Sequence, residues 1–65
     1  MPRYDRFEMG RAIEKFIINP RYRLLLRLKL CEGMTYEEVA EAVSYSTQHV
    51  KHIVKTYREF LISQL

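Results

Sequence analysis

The stretch Thr35-Tyr36-Glu37-Glu38-Val39-Ala40-Glu41-Ala42-Val43-Ser44-Tyr45-Ser46-Thr47-Gln48-His49-Val50-Lys51-His52-Ile53-Val54 decides how this chain folds. Val39 and Val43 stand four apart and form the inner stripe of one helix. Ala40 beside them is small, which lets a second helix cross closely. Val50, Ile53 and Val54 repeat at three and four residues and form the inner stripe of that second helix. Ser44-Tyr45-Ser46 separates the two, a break too short to lay them antiparallel, so they cross steeply. This is the spacing of a helix-turn-helix, a unit that seats its second helix in the major groove of DNA.

The flanking punctuation agrees. Thr35 and Glu38 form a capping box that opens the first of these helices, and Ser46 or Thr47 caps the second. The second runs on through Tyr57 and Leu61. Upstream, Asn19-Pro20 supplies a cap and a proline at the first helical position, which predicts another helix ending at Gly33, a left-handed C-terminal cap. Earlier still, Asp5 and Glu8 make an Asp-x-x-Glu capping box, with Tyr4 and Met9 placed for a hydrophobic staple. Met9, Ala12, Ile13, Phe16 and Ile17 then share one helical face. No segment alternates as a half-buried strand does. The prediction is an all-α, compact four-helix domain over residues 1–65, with an added helix in 1–18 and the helix-turn-helix region in 19–63.

A chain of 65 residues makes one domain and buries only about 60% of its unfolded surface. Cys31, the single cysteine, excludes an internal disulfide and suits a reducing cytoplasm, which is the predicted location. No apolar run approaches the roughly 20 residues of a membrane span, and charges recurring from Arg3 to Lys15 interrupt any signal-peptide core. Eleven basic residues against eight acidic ones leave a net charge of +3, a mild excess whose distribution says more than its total.

From Asn19 to Leu61, about two thirds of the chain, the sequence resembles the C-terminal promoter-recognition domain of bacterial sigma factors, and more loosely LuxR-type domains. The resemblance rests on Pro20, Arg23, Leu24 to Leu26, the block Glu32-Gly33-Met34-Thr35-Tyr36-Glu37-Glu38-Val39-Ala40-Glu41, then Ser46, Val50-Lys51 and Tyr57-Arg58-Glu59-Phe60-Leu61. The Glu-Gly-x-Thr-Tyr-Glu-Glu-Val-Ala portion is fairly specific; the remainder is general helix-turn-helix patterning. Ser44 and Tyr45 stand where the family has glycine and an aliphatic residue, and serine tolerates a left-handed backbone less well. The first eighteen residues match no other sigma-factor domain. The resemblance therefore implies this domain used alone, as in small phage-type transcriptional regulators of bacterial hosts.

Steps of 100° place Gln48, Lys51, His52, Lys55 and Glu59 opposite or beside the buried stripe of the last helix. Thr47, Gln48, Lys51 and His52, near its amino end, are the candidates for base contacts. Gln48 suits adenine and Lys51 suits the acceptors of guanine. Lys55 and Arg58 lie where the helix leaves the groove and are candidates for phosphate. Thr35, Tyr36 and Ser46, at helix amino termini, are phosphate candidates through free N–H groups and the helix dipole. Arg21, Arg23 and Arg27 extend that track. Without the two-helix spacing, such a lysine-rich face reads as ordinary solvated surface. Glu37, Glu38 and Glu41 read as cap and dipole partners.

His49 and His52 have no third ligand at metal spacing, so no metal and no cofactor is expected. Cys31 falls with Leu24 and Leu28 on one face and reads as a small buried hydrophobe. Tyr22, Leu26 and Leu30 form a second stripe on the same helix, while Phe7, Ile18, Ile62 and Leu65 remain unplaced near the termini. This surplus predicts self-association through Tyr22, Leu26, Leu30, Phe7, Ile62 and Leu65. A two-fold homodimer sets its recognition helices about 34 Å apart on a palindromic site.

The leading expectation is a sequence-specific, double-stranded-DNA-binding regulator of transcription without catalytic activity. Two alternatives stand beside it: a protein-interaction module that binds RNA polymerase, and a DNA-binding adaptor of a phage assembly. An enzyme is disfavoured, since no phosphate loop, metal cluster or activated nucleophile is visible and the chain has little room for a substrate pocket.

Overall fold

The computed structural model describes residues 4–65; Met1, Pro2 and Arg3, the start of the predicted domain, lie outside the described residues. The Asp5 carboxylate accepts from the Phe7 N–H at 2.7 Å and opens α1, Arg6–Phe16. Glu8 makes no reciprocal cap bond among the described residues, so the predicted box is present only in its first half. Tyr4 packs against the core, and its hydroxyl donates to the Leu30 carbonyl at 2.9 Å, tying the chain before α1 to the end of the next helix. Burial raises the Tyr4 phenol above its ordinary value, against the lowering influence of nearby Arg58.

Asn19 caps α2, Pro20–Leu30, by accepting from the N–H groups of Arg21 and Tyr22, with Pro20 at the first position. The helix stops at Leu30 rather than at Gly33. Cys31 caps it, the Glu32 N–H returns to the Arg27 carbonyl, and Gly33 then takes the left-handed conformation, φ 72°, inside the connection. Thr35 and Glu38 form the full reciprocal capping box of α3, Tyr36–Val43. Ser44, at φ 61° and ψ 37°, reverses the chain in the left-handed region without being glycine. Ser46 then caps α4, Thr47–Ser63, its hydroxyl accepting from the His49 N–H.

Four helices and no strand make up the described residues. Helix α2 is the hub, packing on α1, α3 and α4, and α4 likewise packs on the other three. Helices α1 and α3 sit apart on the two sides of that pair. The core gathers most of the anticipated stripes: Met9, Ala12 and Ile13 from α1 with Ile17 at its C-cap, Val39 and Val43 from α3, Val50, Ile53, Val54 and Leu61 from α4, whereas Phe16 is exposed and Tyr57 half-buried. An edge-to-face pair of Phe16 and Phe60, centroids 5.7 Å apart, closes α1 on the tail of α4.

Three expectations for α2 are corrected. Leu26, expected at a self-association surface, is fully buried beside Leu25, because contact with three helices widens the buried arc beyond one stripe. Leu24 is 46% exposed instead of facing inward. Cys31 is only half-buried at the edge of the core, its thiol lying 3.5 Å from the Arg6 carbonyl at the start of α1. Of the other self-association candidates, Tyr22, Leu30 and Ile62 are half-buried against the core, whereas Phe7 and Leu65 are exposed.

Candidate nucleic-acid interface

Burying Val50, Ile53 and Val54 turns the opposite arc of α4 outward. Gln48, His49, Lys51, His52 and Lys55 are all exposed there, and with Ser46 they line one shallow depression. Thr47, the remaining base-contact candidate, is half-buried at the first turn.

The first turn of α3 is brought against this arc. Tyr36 has the Lys51 ammonium 5.7 Å from its ring centroid and the Lys29 ammonium, from the end of α2, at 4.4 Å. Lys29 also donates to the Met34 carbonyl at 3.0 Å, which pins it across the connection between α2 and α3. Tyr36, Lys51, Val54, Lys55, Arg58 and Glu59 line a second depression next to the first. Cations from two helices thus converge on one tyrosine at a helix amino terminus. Among the described residues, none of Lys29, Lys51, Lys55 and Arg58 forms an ion pair.

The capping box modifies what that terminus offers. The Thr35 N–H donates to the Glu38 carboxylate at 2.9 Å, and the Glu38 N–H donates to the Thr35 hydroxyl at 3.1 Å. Two of the N–H groups expected for phosphate are therefore engaged within the chain. The Glu38 carboxylate also lies over the positive end of the α3 dipole.

The arginines of α2 divide between two sides. Arg21 lies over the Tyr45 ring at 5.3 Å, and Tyr45 in turn stacks on His49 with centroids 4.3 Å apart, so Arg21 joins the α3–α4 turn. Arg23 and Arg27 go the other way, to the seam with α1. The Arg23 guanidinium donates to the carbonyls of Ile17 and Glu14, and Arg27 pairs with the Glu14 carboxylate at 3.0 Å. Around the helix Arg21 lies about 160° from Arg23 and about 120° from Arg27, a separation that the sequence spacing alone contains. Lys29 is the residue that sequence reasoning missed. Its signal is position four after fully buried Leu25, on the arc of α2 that α3 covers.

Comparison of the chain with protein-family models, with curated proteins and with solved structures gives no match.

Proposed function

We propose that this protein is a sequence-specific DNA-binding regulator of transcription that inserts the amino-terminal half of α4 into the major groove. The observation that carries the reading is the convergence of Lys29, Lys51 and Tyr36, with Lys55 and Arg58 beside them, along the exposed arc of a helix entered from a three-residue turn. A groove-inserted helix needs this combination: polar side chains at its amino end for base edges, and cations at its margins for phosphates. Gln48, Lys51 and His52 are assigned to bases. Lys29, Tyr36, Lys55 and Arg58 are assigned to phosphates, with Arg21 serving the opposite strand.

Selection from a random duplex library, followed by titration of the enriched site at several salt concentrations, tests this. About four phosphates neutralised per protomer predict a log–log salt slope near −3.5, and Lys55→Ala lowers its magnitude by about 1. Gln48→Ala weakens the preferred site by about 1–3 kcal/mol while leaving non-specific binding in place. A library that yields no enriched site refutes the proposal.

One observation favours a second reading, a module that binds RNA polymerase or another protein: Phe7 is 79% and Ile18 86% exposed. Sedimentation equilibrium at micromolar concentration distinguishes a monomer with a protein-binding face from a homodimer on a palindromic site.

A further inference from the structure

Helices α1 and α2 leave an open groove of about 600 Å³, lined by Phe7, Gly10 and Cys31 and rimmed by Arg6, Arg11, Lys15 and Arg27. It lies on the α1 side of the molecule, whereas the basic arc around Tyr36 lies on the α3 side, and α1 and α3 do not pack on each other. Gly10 is buried and keeps the floor low. A Cβ there would come within 3.8 Å of the Arg27 guanidinium. Phe7 stands at the mouth, 79% exposed, an aromatic ring held by a capped first turn rather than by any core contact.

The electrostatics of the rim are unbalanced. Its two carboxylates are already engaged, Glu14 with Arg27 at 3.0 Å and Glu32 with Arg6 at 3.4 Å. Arg11 and Lys15 form no ion pair among the described residues; the Lys15 ammonium lies 5.5 Å from the Phe16 ring instead. From Arg6 to Lys15 the cations extend along nine residues of helix, about 14 Å. A single anionic headgroup meets only one end of such a row. Several carboxylates spaced along a peptide meet all of it, and an aromatic or aliphatic side chain among them covers Phe7 and Cys31.

We propose that the groove between α1 and α2 docks an acidic peptide segment of a partner protein, its carboxylates on Arg11 and Lys15 and one large apolar side chain against Phe7. This surface is separate from the proposed DNA face, and the two stand or fall independently.

The probe is a fluorescein-labelled octapeptide in which glutamates alternate with phenylalanine and leucine, with a lysine-for-glutamate counterpart as control. Fluorescence anisotropy is expected to show saturable binding of the acidic peptide alone. The double variant Arg11→Glu with Lys15→Glu, at exposed positions, is expected to weaken it about tenfold or more. Phe7→Ala is expected to weaken it too, with helical circular dichroism unchanged in both variants. Lys51→Ala with Lys55→Ala is expected to leave peptide binding intact while impairing duplex binding. The proposal is overturned if the acidic peptide fails to bind, or if the Lys51 and Lys55 changes abolish binding as fully as the Arg11 and Lys15 changes. It is equally overturned if amide shifts in the groove appear with decanoate and not with the peptide, or if Phe7→Ala dissolves a dimer of this chain.

Discussion

Among the described residues, two hold left-handed backbone, and only one of them is glycine: Gly33 at φ 72° and Ser44 at φ 61°. The pair allows a backbone cost to be measured in both directions. A Cβ in this region costs about 1–2 kcal/mol through its contact with the carbonyl that follows. Adding one also restricts the unfolded chain and returns about 0.4–1 kcal/mol. A Cβ built on Gly33 meets nothing within 4 Å, so Gly33→Ala carries the backbone cost without a steric one, a net loss of about 0.5–1 kcal/mol. Ser44 is exposed, and its side chain makes no hydrogen bond among the described residues, so Ser44→Gly gains a similar amount. Unfolding entropy of about 2.1 cal/mol/K per residue makes 1 kcal/mol worth about 7 °C in a chain of this length. Gly33→Ala is therefore expected to lower Tm by about 3–7 °C, and Ser44→Gly to raise it by a comparable amount, in melts followed at 222 nm. A Gly33→Ala protein as stable as the wild type would refute the left-handed assignment there. A Ser44→Gly protein that melts lower would show that the serine side chain contributes more than its backbone costs.

Leu26→Ala is expected to cost about 2–5 kcal/mol in urea unfolding, as for a fully buried leucine, whereas Leu24→Ala stays within about 1 kcal/mol; equal effects would contradict the burial of α2. Thr35→Ala removes the hydroxyl half of the α3 capping box and is expected to cost about 0.5–2 kcal/mol by the same assay. Burial raises the Cys31 thiol above its ordinary value, against the lowering influence of Arg27. The folded chain then keeps that proton in a pH range where the unfolded chain has lost it, so stability falls as pH rises through the ordinary thiol range. Cys31→Ser is expected to flatten the decline in urea midpoint between neutral and alkaline pH, and iodoacetamide is expected to modify Cys31 more slowly than an unstructured cysteine peptide.

Much of the fold is local and was legible for that reason. Asp5, Asn19, Thr35 and Ser46 each cap a helix by accepting from N–H groups two or three residues ahead, a bond that depends on nothing distant. The inner stripes of α1, α3 and α4 follow from the helical period in the same way, and with the caps they yield four helices without strands. The placement of α2 is different. Its leucines occur at nearly every turn angle, so periodicity cannot choose a buried face. Three neighbouring helices choose it, enclosing Leu25 and Leu26 and leaving Leu24 outside.

The candidate DNA face divides along the same line. The sequence by itself determined the outward arc of α4, because burying Val50, Ile53 and Val54 leaves Gln48, Lys51, His52 and Lys55 no other side. Only the tertiary structure brought Lys29 over Tyr36, joined Arg21 to Tyr45 and His49, and drew Arg23 and Arg27 away to Glu14. The contacts Lys29–Tyr36, Arg23–Glu14, Arg27–Glu14 and Arg21–Tyr45 span seven to twenty-four residues of chain, and their partners are set by how whole helices pack. Hydrogen bonds within a turn are written in adjacent residues; contacts between turns of different helices follow from the placement of the helices themselves.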